Sequence, residues 1–168
     1  MFDILEPRRL LSVTANFSAG VLTVASDAAS DQVLIDIDAH GRIFVHADHH
    51  VILAVPAHDV TGIGVDLGGG DDALGTAPSV HAPMTIHGGA GNDVIVAGSG
   101  HDLIFGDAGD DSINSVDGIS DMVDGGAGHD SALVDHVDVV TDVEDLHHPH
   151  HHDVAFARKL EEIQSLTD

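Results

Sequence analysis

Aspartate recurs at a fixed interval through the middle of this chain. Asp93, Asp102 and Asp111 lie nine residues apart, and each follows a glycine-rich run and precedes an x-aliphatic-x triplet. Every acidic residue between positions 66 and 135 is Asp, and that stretch contains no Lys or Arg to pair with them. Carboxylates repeated without basic partners point to hard, oxygen-liganded cations. A divalent ion that accepts six to eight irregularly placed oxygens fits calcium better than magnesium, which demands octahedral ligation. The competing use of Asp as an ordinary turn former does not explain the fixed interval.

The units that carry these residues read Gly88-Gly89-Ala90-Gly91-Asn92-Asp93-Val94-Ile95-Val96, then Ala97 to Phe105, then Gly106 to Asn114. A fourth runs from Ser115 to Asp124 with one extra residue between Gly118 and Asp121, and a fifth is Gly125 to Leu133. Upstream, Leu67 to Gly75 is intact except at its first position, and Ser79 to His87 keeps Ile86 but has Met84 where Asp belongs. Glycine supplies the positive-φ turns in which carbonyls can face inward. The x-U-x triplet is a minimal strand with its central side chain on one face. Two units close one coil of about 18 residues. Ile86, Ile104 and Val123 should then stack in one sheet against Leu74, Ile95, Ile113 and Ala132 in the other.

Stacking places successive Asp side chains one strand spacing apart, about 4.8 Å. Such neighbours repel by about 1 kcal/mol even in water, against about 1.5 to 3 kcal/mol per buried aliphatic. The roll is therefore expected to need cations to stay assembled.

The pattern Gly-Gly-x-Gly-x-Asp-x-U-x resembles the RTX, or haemolysin-type, calcium-binding nonapeptide repeat over roughly residues 62 to 135. The resemblance implies an all-β fold, a parallel β-roll capped by N-terminal β-strands, with about three to five Ca2+ ions. It also implies that alternate loop positions face opposite neighbours. Gly89, Gly91 and Asp93 would face one ion, as would Gly98, Gly100 and Asp102 on the other edge. Gly109 with Asp111, Gly126 with Gly128 and Asp130, and Gly68 with Gly70 and Asp72 follow the same rule, and Asp121 serves the fourth unit. The carbonyls of Gly88, Ala90, Asn92, Ala97, Ser99, His101, Gly106, Ala108 and Asp110 would face the other way. Three departures are visible: Asp107 replaces a Gly, the Gly118 to Asp121 spacing is long, and the Ser79 unit lacks Asp.

The flanks organise as follows. Residues 1–19 read as a sorting-like or flexible segment, in which Leu5-Glu6-Pro7-Arg8 with Leu10-Leu11-Ser12 resembles an export element of exported repeat proteins. Residues 20–65 read as a cap of β hairpins, with Val33, Ile35 and Ile37 alternating with polar positions, and Val51 to Val55 apolar on both faces and so expected to be covered on both. Ser26 to Leu34 fits the nine-residue frame at Asp31 and Val33 without the glycines, so it is either a decayed coil or a plain hairpin. Residues 66–135 are the roll, 136–152 an acidic, His-rich linker, and 153–168 a short amphipathic helix with Phe156, Leu160 and Ile163 on one face.

Composition narrows the function classes. The 168 residues carry a formal charge of −24, which repels nucleic acid and anionic lipid, and no apolar run is long enough for a membrane span. With no Cys, disulfides and thiolate metal sites are impossible. No nucleophile elbow, H-E-x-x-H or phosphate loop is present, so the chain reads as a non-catalytic module. The expectation is a secreted calcium-binding module that folds on the ion. It would serve a structural or interaction role through self-association or a protein partner, with Val94, Val96, Leu103 and Phe105 as outward contact residues. The alternative is a transition-metal binder displaying His147-His148 and His150-His151-His152 on a calcium-stabilised scaffold.

Overall fold

The computed structural model describes residues 13–149. Strands β1 (Thr14–Ser18), β2 (Val21–Ala25), β3 (Gln32–Ile37), β4 (Arg42–Ala47) and β5 (His50–Pro56) precede a single 3₁₀ turn, Ala57–Asp59. There follow β6 (Gly62–Asp66), β7 (Ala73–Thr76), β8 (Met84–Ala90), β9 (Val94–Val96), β10 (Leu103–Ala108), β11 (Ser112–Asn114), β12 (Met122–Asp124), β13 (Ser131–Leu133), β14 (Val139–Thr141) and β15 (Asp145–His147). From β6 onward the chain alternates strictly between two sheets. One has the order β1-β2-β6-β8-β10-β12-β14, the other β15-β13-β11-β9-β7-β3-β4-β5. All pairings beyond the N-terminal hairpins are parallel, as repeated winding in one direction requires.

The triplets are strands because one aliphatic side chain per unit can reach the interior and its two neighbours cannot. Ile86 aligns with Ile104 and Ile104 with Val123 in the first sheet. Leu74, Ile95, Ile113 and Ala132 align in the second. All seven have no solvent exposure, so the ladder foreseen from the spacing is the core. Each such side chain stabilises the stack by about 1.5 to 3 kcal/mol.

The N-terminal cap is made of antiparallel additions to both sheets. β1 folds back on β2 through Ala19 and Gly20, both at positive φ, and β3, β4 and β5 form a meander. Phe17 from β1 and Ile52 and Leu53 from β5 pack on the core where the winding begins. β3 is at once a hairpin strand and part of a coil, pairing antiparallel with β4 and parallel with β7, so Ser26 to Leu34 is a true unit of the winding.

Three expectations need correction. The winding does not stop at residue 135: β14 and β15 add another coil inside the stretch 136–152 expected to be a linker, because Val140 and Leu146 continue the two aliphatic ladders. β1 lies inside the segment 1–19 expected to be flexible or sorting-like. β5 is covered only in part: Val51 near its start is 54% exposed, whereas Ile52 and Leu53, on opposite faces, are half-buried against the core and Val55 is buried. The Leu5 to Ser12 element and the helix expected at 153–168 lie outside the described residues. Among the described residues no helix is long and apolar enough to cross a membrane.

Candidate metal centre

The turns of the stack fall on two edges. On the first edge lie the connections β2–β3, β6–β7, β8–β9, β10–β11, β12–β13 and β14–β15, and on the second lie β7–β8, β9–β10, β11–β12 and β13–β14. Parallel register brings the last acidic residue of each turn directly over its counterpart in the neighbouring coil.

Those residues form two hydrogen-bonded columns. On the first edge the backbone N–H of Asp31 donates to Asp72 Oδ1 at 2.7 Å, that of Asp72 to Asp93 Oδ1 at 2.8 Å, that of Asp93 to Asp111 Oδ1 at 2.8 Å, and that of Asp111 to Asp130 Oδ1 at 2.8 Å. The N–H of Asp130 donates to Glu144 Oε2 at 2.8 Å. On the second edge Met84 N–H donates to Asp102 Oδ1 at 2.8 Å, Asp102 N–H to Asp121 Oδ1 at 2.8 Å, and Asp121 N–H to Asp138 Oδ1 at 3.0 Å. One carboxylate oxygen of each aspartate after Asp31 is therefore committed to the preceding coil.

The other oxygen is not. Oδ2 of Asp72, Asp93, Asp102, Asp111, Asp121 and Asp130 is buried without a hydrogen-bond partner. Burying a carboxylate oxygen unpaired is costly, and the cost shows in the protonation equilibria. Loss of water, with neighbouring carboxylates adding to it, raises Asp111 and Asp121 to about 7 and Asp72 and Asp102 to about 6. Burial also pushes Asp93 and Asp130 up. A column of this kind is strained unless protons or cations occupy it.

Glycine stands beside three of those oxygens. A Cβ at Gly88 would lie 2.7 Å from Asp93 Oδ2 and one at Gly125 2.7 Å from Asp130 Oδ2, while one at Gly106 would run into Asp111 Oδ2. The repeat's first glycine thus keeps the carboxylate face clear. The fourth-position glycines serve the turn itself: Gly91 and Gly109 take φ +133° and +138°, and a side chain on either would overlap the carbonyl of Gly70 or Gly91 in the adjoining coil. Asp107 occupies the second-position slot at φ +71°, a conformation Asp tolerates better than most residues, and its Oδ2 lies 3.0 Å from His87 Nδ1.

The donor set fits a hard, oxygen-seeking cation. Among the described residues no three acidic or imidazole side chains converge on one point, so an ion here would have to draw on backbone carbonyls as well. Gly68, Gly70, Gly91, Asn92, Gly109, Asp110, Gly126 and Gly128 lie in the turns of the first edge, Gly88, Gly89 and Ala90 at the end of β8 and Gly106 and Ala108 at the end of β10 that lead into those turns, and Ala97, Gly98, Ser99, Gly100 and His101 in a turn of the second. Some of these groups already have work. The carbonyls of Ala90 and Ala108 accept from Gly70 N–H at 2.7 Å and Gly91 N–H at 2.8 Å, and Asn92 Oδ1 accepts from Asp110 N–H.

Asp31, Asp138 and Glu144 belong to the columns although sequence reasoning assigned them no role. The signal was present: Asp31-Gln32-Val33-Leu34, Asp138-Val139-Val140-Thr141 and Glu144-Asp145-Leu146-His147 keep the acidic-x-U-x half of the repeat after its glycines are gone. Of the histidine cluster, His147 is in β15, His148 Nδ1 lies 3.2 Å from the Val134 carbonyl oxygen, and its ring sits 4.4 Å from that of His136. His150, His151 and His152 lie outside the described residues.

Comparison with protein families matches residues 85–118 to the RTX calcium-binding nonapeptide repeat in four copies. Comparison with curated proteins and with solved structures returns no match. The matched residues span β8 to the turn after β11 and include Asp93, Asp102 and Asp111. The chain therefore carries a calcium-binding RTX repeat array, set within a winding of the same kind that extends on both sides of it.

Proposed function

We propose that the coil stack is an exported calcium-dependent structural module: loosely folded where calcium is scarce, compact outside the cell, and there presenting its outer faces to a protein partner or another copy of itself. The single observation that carries this reading is the set of buried, unpartnered Oδ2 atoms in register along both edges. Asp72, Asp93, Asp111 and Asp130 on one edge, and Asp102 and Asp121 on the other, would hold the ions together with carbonyls of the adjoining turns. Bound calcium supplies the positive charge and the oxygen coordination that these carboxylates lack.

The chain's own residues do the rest. Glycines keep the carboxylate face clear, the Oδ1 bonds fix each carboxylate in orientation, and the aliphatic ladder sets the coil spacing. Because the site exists only when the coils are stacked, binding free energy is folding free energy. The outer faces retain apolar residues for contact: Leu103 is 42% exposed, while Phe105 is half-buried and stacked on His87 at 4.7 Å.

The test is a calcium titration of chelated full-length protein by far-ultraviolet circular dichroism, with calorimetry for stoichiometry. A β signal that grows with calcium is expected, with affinity in the extracellular range of about 10⁻⁴ to 10⁻³ M. A full β signal in chelator, unchanged by calcium, would refute coupled folding.

A further inference from the structure

Two carboxylates in the columns differ from the rest. Asp31 Oδ2 accepts a hydrogen bond from the Ser26 hydroxyl. Asp138 Oδ2 accepts one from the Ser115 hydroxyl at 3.0 Å and another from the Asp135 N–H at 2.7 Å. Asp31 is the N-terminal end of the first-edge column, and Asp138 is the C-terminal end of the second-edge column. Between those ends every aspartate named above has an open Oδ2.

The position of Ser26 accounts for its effect. It is the first residue of its unit, where Gly88, Gly106 and Gly125 stand in the later ones, and a side chain at those positions would meet the Oδ2 of the unit's own aspartate. Glycine there leaves the oxygen open, whereas serine brings a donor to it. Ser115, first in its own unit, reaches across to the next coil instead.

We propose that Ser26 and Ser115 are built-in stops of the two cation columns, their hydroxyls taking the place at the end carboxylates that an ion takes at the inner ones. The inference rests on the calcium reading above. A terminal aspartate has a column neighbour on one side only: Asp31 faces Asp72, and Asp138 faces Asp121. It therefore feels less repulsion than Asp93 or Asp111, and it lacks a second coil to complete an ion's coordination. Neutral donors, the Ser26 hydroxyl at Asp31 and the Ser115 hydroxyl with the Asp135 N–H at Asp138, serve where two flanking carboxylates would need a cation. The other two ends are built differently. Asp102 has Ala97 in the first position and the turn 77–83 beyond it, and Glu144 is solvent-exposed. The consequence is that the first coil, with its hairpins, is ordered without metal and gives the calcium-dependent coils a template.

Hydrogen exchange on the full-length protein, in chelator and in saturating calcium, tests this. In the wild type the amides of residues 31–35 should stay protected in both conditions, while those of 93–96 and 111–114 should gain at least about tenfold protection on calcium addition. Ser26→Ala should make residues 31–35 lose about tenfold protection in chelator and regain it in calcium, and Ser26→Thr, which keeps the hydroxyl, should behave as wild type. The proposal is overturned if Ser26→Ala leaves chelator protection of 31–35 unchanged, if protection is lost equally in both conditions, or if wild-type residues 31–35 are unprotected in chelator. Calcium-independent protection of 93–96 and 111–114 in the wild type would instead sink the calcium reading.

Discussion

The two edges of the stack are built from the same formula and solved differently. On the first edge, turn pairs with turn through the backbone: Ala90 N–H donates to Gly68 O, Gly109 N–H to Ala127 O and Ala127 N–H to Asp107 O. Gly89, Gly91, Gly109, Gly126 and Gly128 all take positive φ to make this possible. On the second edge Gly118 takes positive φ but Gly98 and Gly100 are not in the left-handed region, and beside the Ser99 N–H bond to Val80 O most of the joining falls to side chains. Ser99 Oγ donates to Pro78 O, Gly100 N–H to Asp117 Oδ2, the N–H groups of Asp117 and Gly118 to Asp135 Oδ2, and Ser120 Oγ to Val137 O. The first edge keeps four column Oδ2 atoms without a partner, those of Asp72, Asp93, Asp111 and Asp130, and the other keeps two, those of Asp102 and Asp121. The edge joined mostly by side chains has fewer column oxygens without a partner.

The largest expected effect spans both edges. Without calcium, the raised pKa values of Asp72, Asp102, Asp111 and Asp121 mean that the folded state holds protons the unfolded chain has released. Stability of the chelated protein is then greatest near pH 4, falls as pH rises toward about 7, and levels off above that. With calcium bound, the ligand carboxylates are depressed instead, so their contribution is present above the unfolded pKa of about 3.9 and lost below it. Thermal melts from pH 4 to pH 8 should fall with rising pH in chelator and stay nearly level in saturating calcium; an equal fall in both would contradict the open-oxygen account.

Next comes glycine. Gly91→Ala places a side chain at φ +133° against the Gly70 carbonyl, and should cost about 3 kcal/mol or more in calcium-saturated urea melts. Gly100→Ala on the second edge meets the Ala82 carbonyl and Asp102 Oδ1, each at 3.1 Å, with no positive-φ strain, and should cost about 1 kcal/mol or less. Equal losses would erase the distinction between the edges.

Smaller again is the contrast between an open and a closed carboxylate. Asp111→Asn should weaken calcium binding about tenfold, about 1.4 kcal/mol. Asp138→Asn, at a position already satisfied by Ser115 and Asp135, should leave calorimetric affinity within about twofold. The smallest effects are single exposed bonds: Asn92→Ala removes an acceptor from Asp110 N–H, Ser99→Ala a donor to Pro78, and each should shift stability by about 1 kcal/mol or less. A larger loss at Ser99 than at Asn92 would sharpen the view that side chains carry the second edge.

Much of this architecture was legible before folding. Ile95 and Ile113 were placeable in one ladder and Ile104 in the other because a period of nine sends alternate units to opposite sheets. The coil at β14 and β15 was not, because its turns have lost the glycines that make a unit conspicuous and keep only the acidic-x-U-x remnant. Glycines at 98 and 100 looked equivalent to those at 89 and 91, yet they differ in φ because their neighbours in the stack are the irregular turns 77–83 and 115–121.

The sequence by itself determined the period, the all-β winding, the identity of the core residues and the chemical class of the ligand, since these follow from residue type and spacing along one chain. The tertiary structure decided which oxygen of each aspartate is spent and which is left open, and where the columns end. Ser26 reaches Asp31 from only five positions away, but the spent oxygens depend on donors 17 to 41 positions away, such as Asp93 N–H to Asp111 and Asp31 N–H to Asp72. Only the stacking of coils brings them within hydrogen-bonding distance.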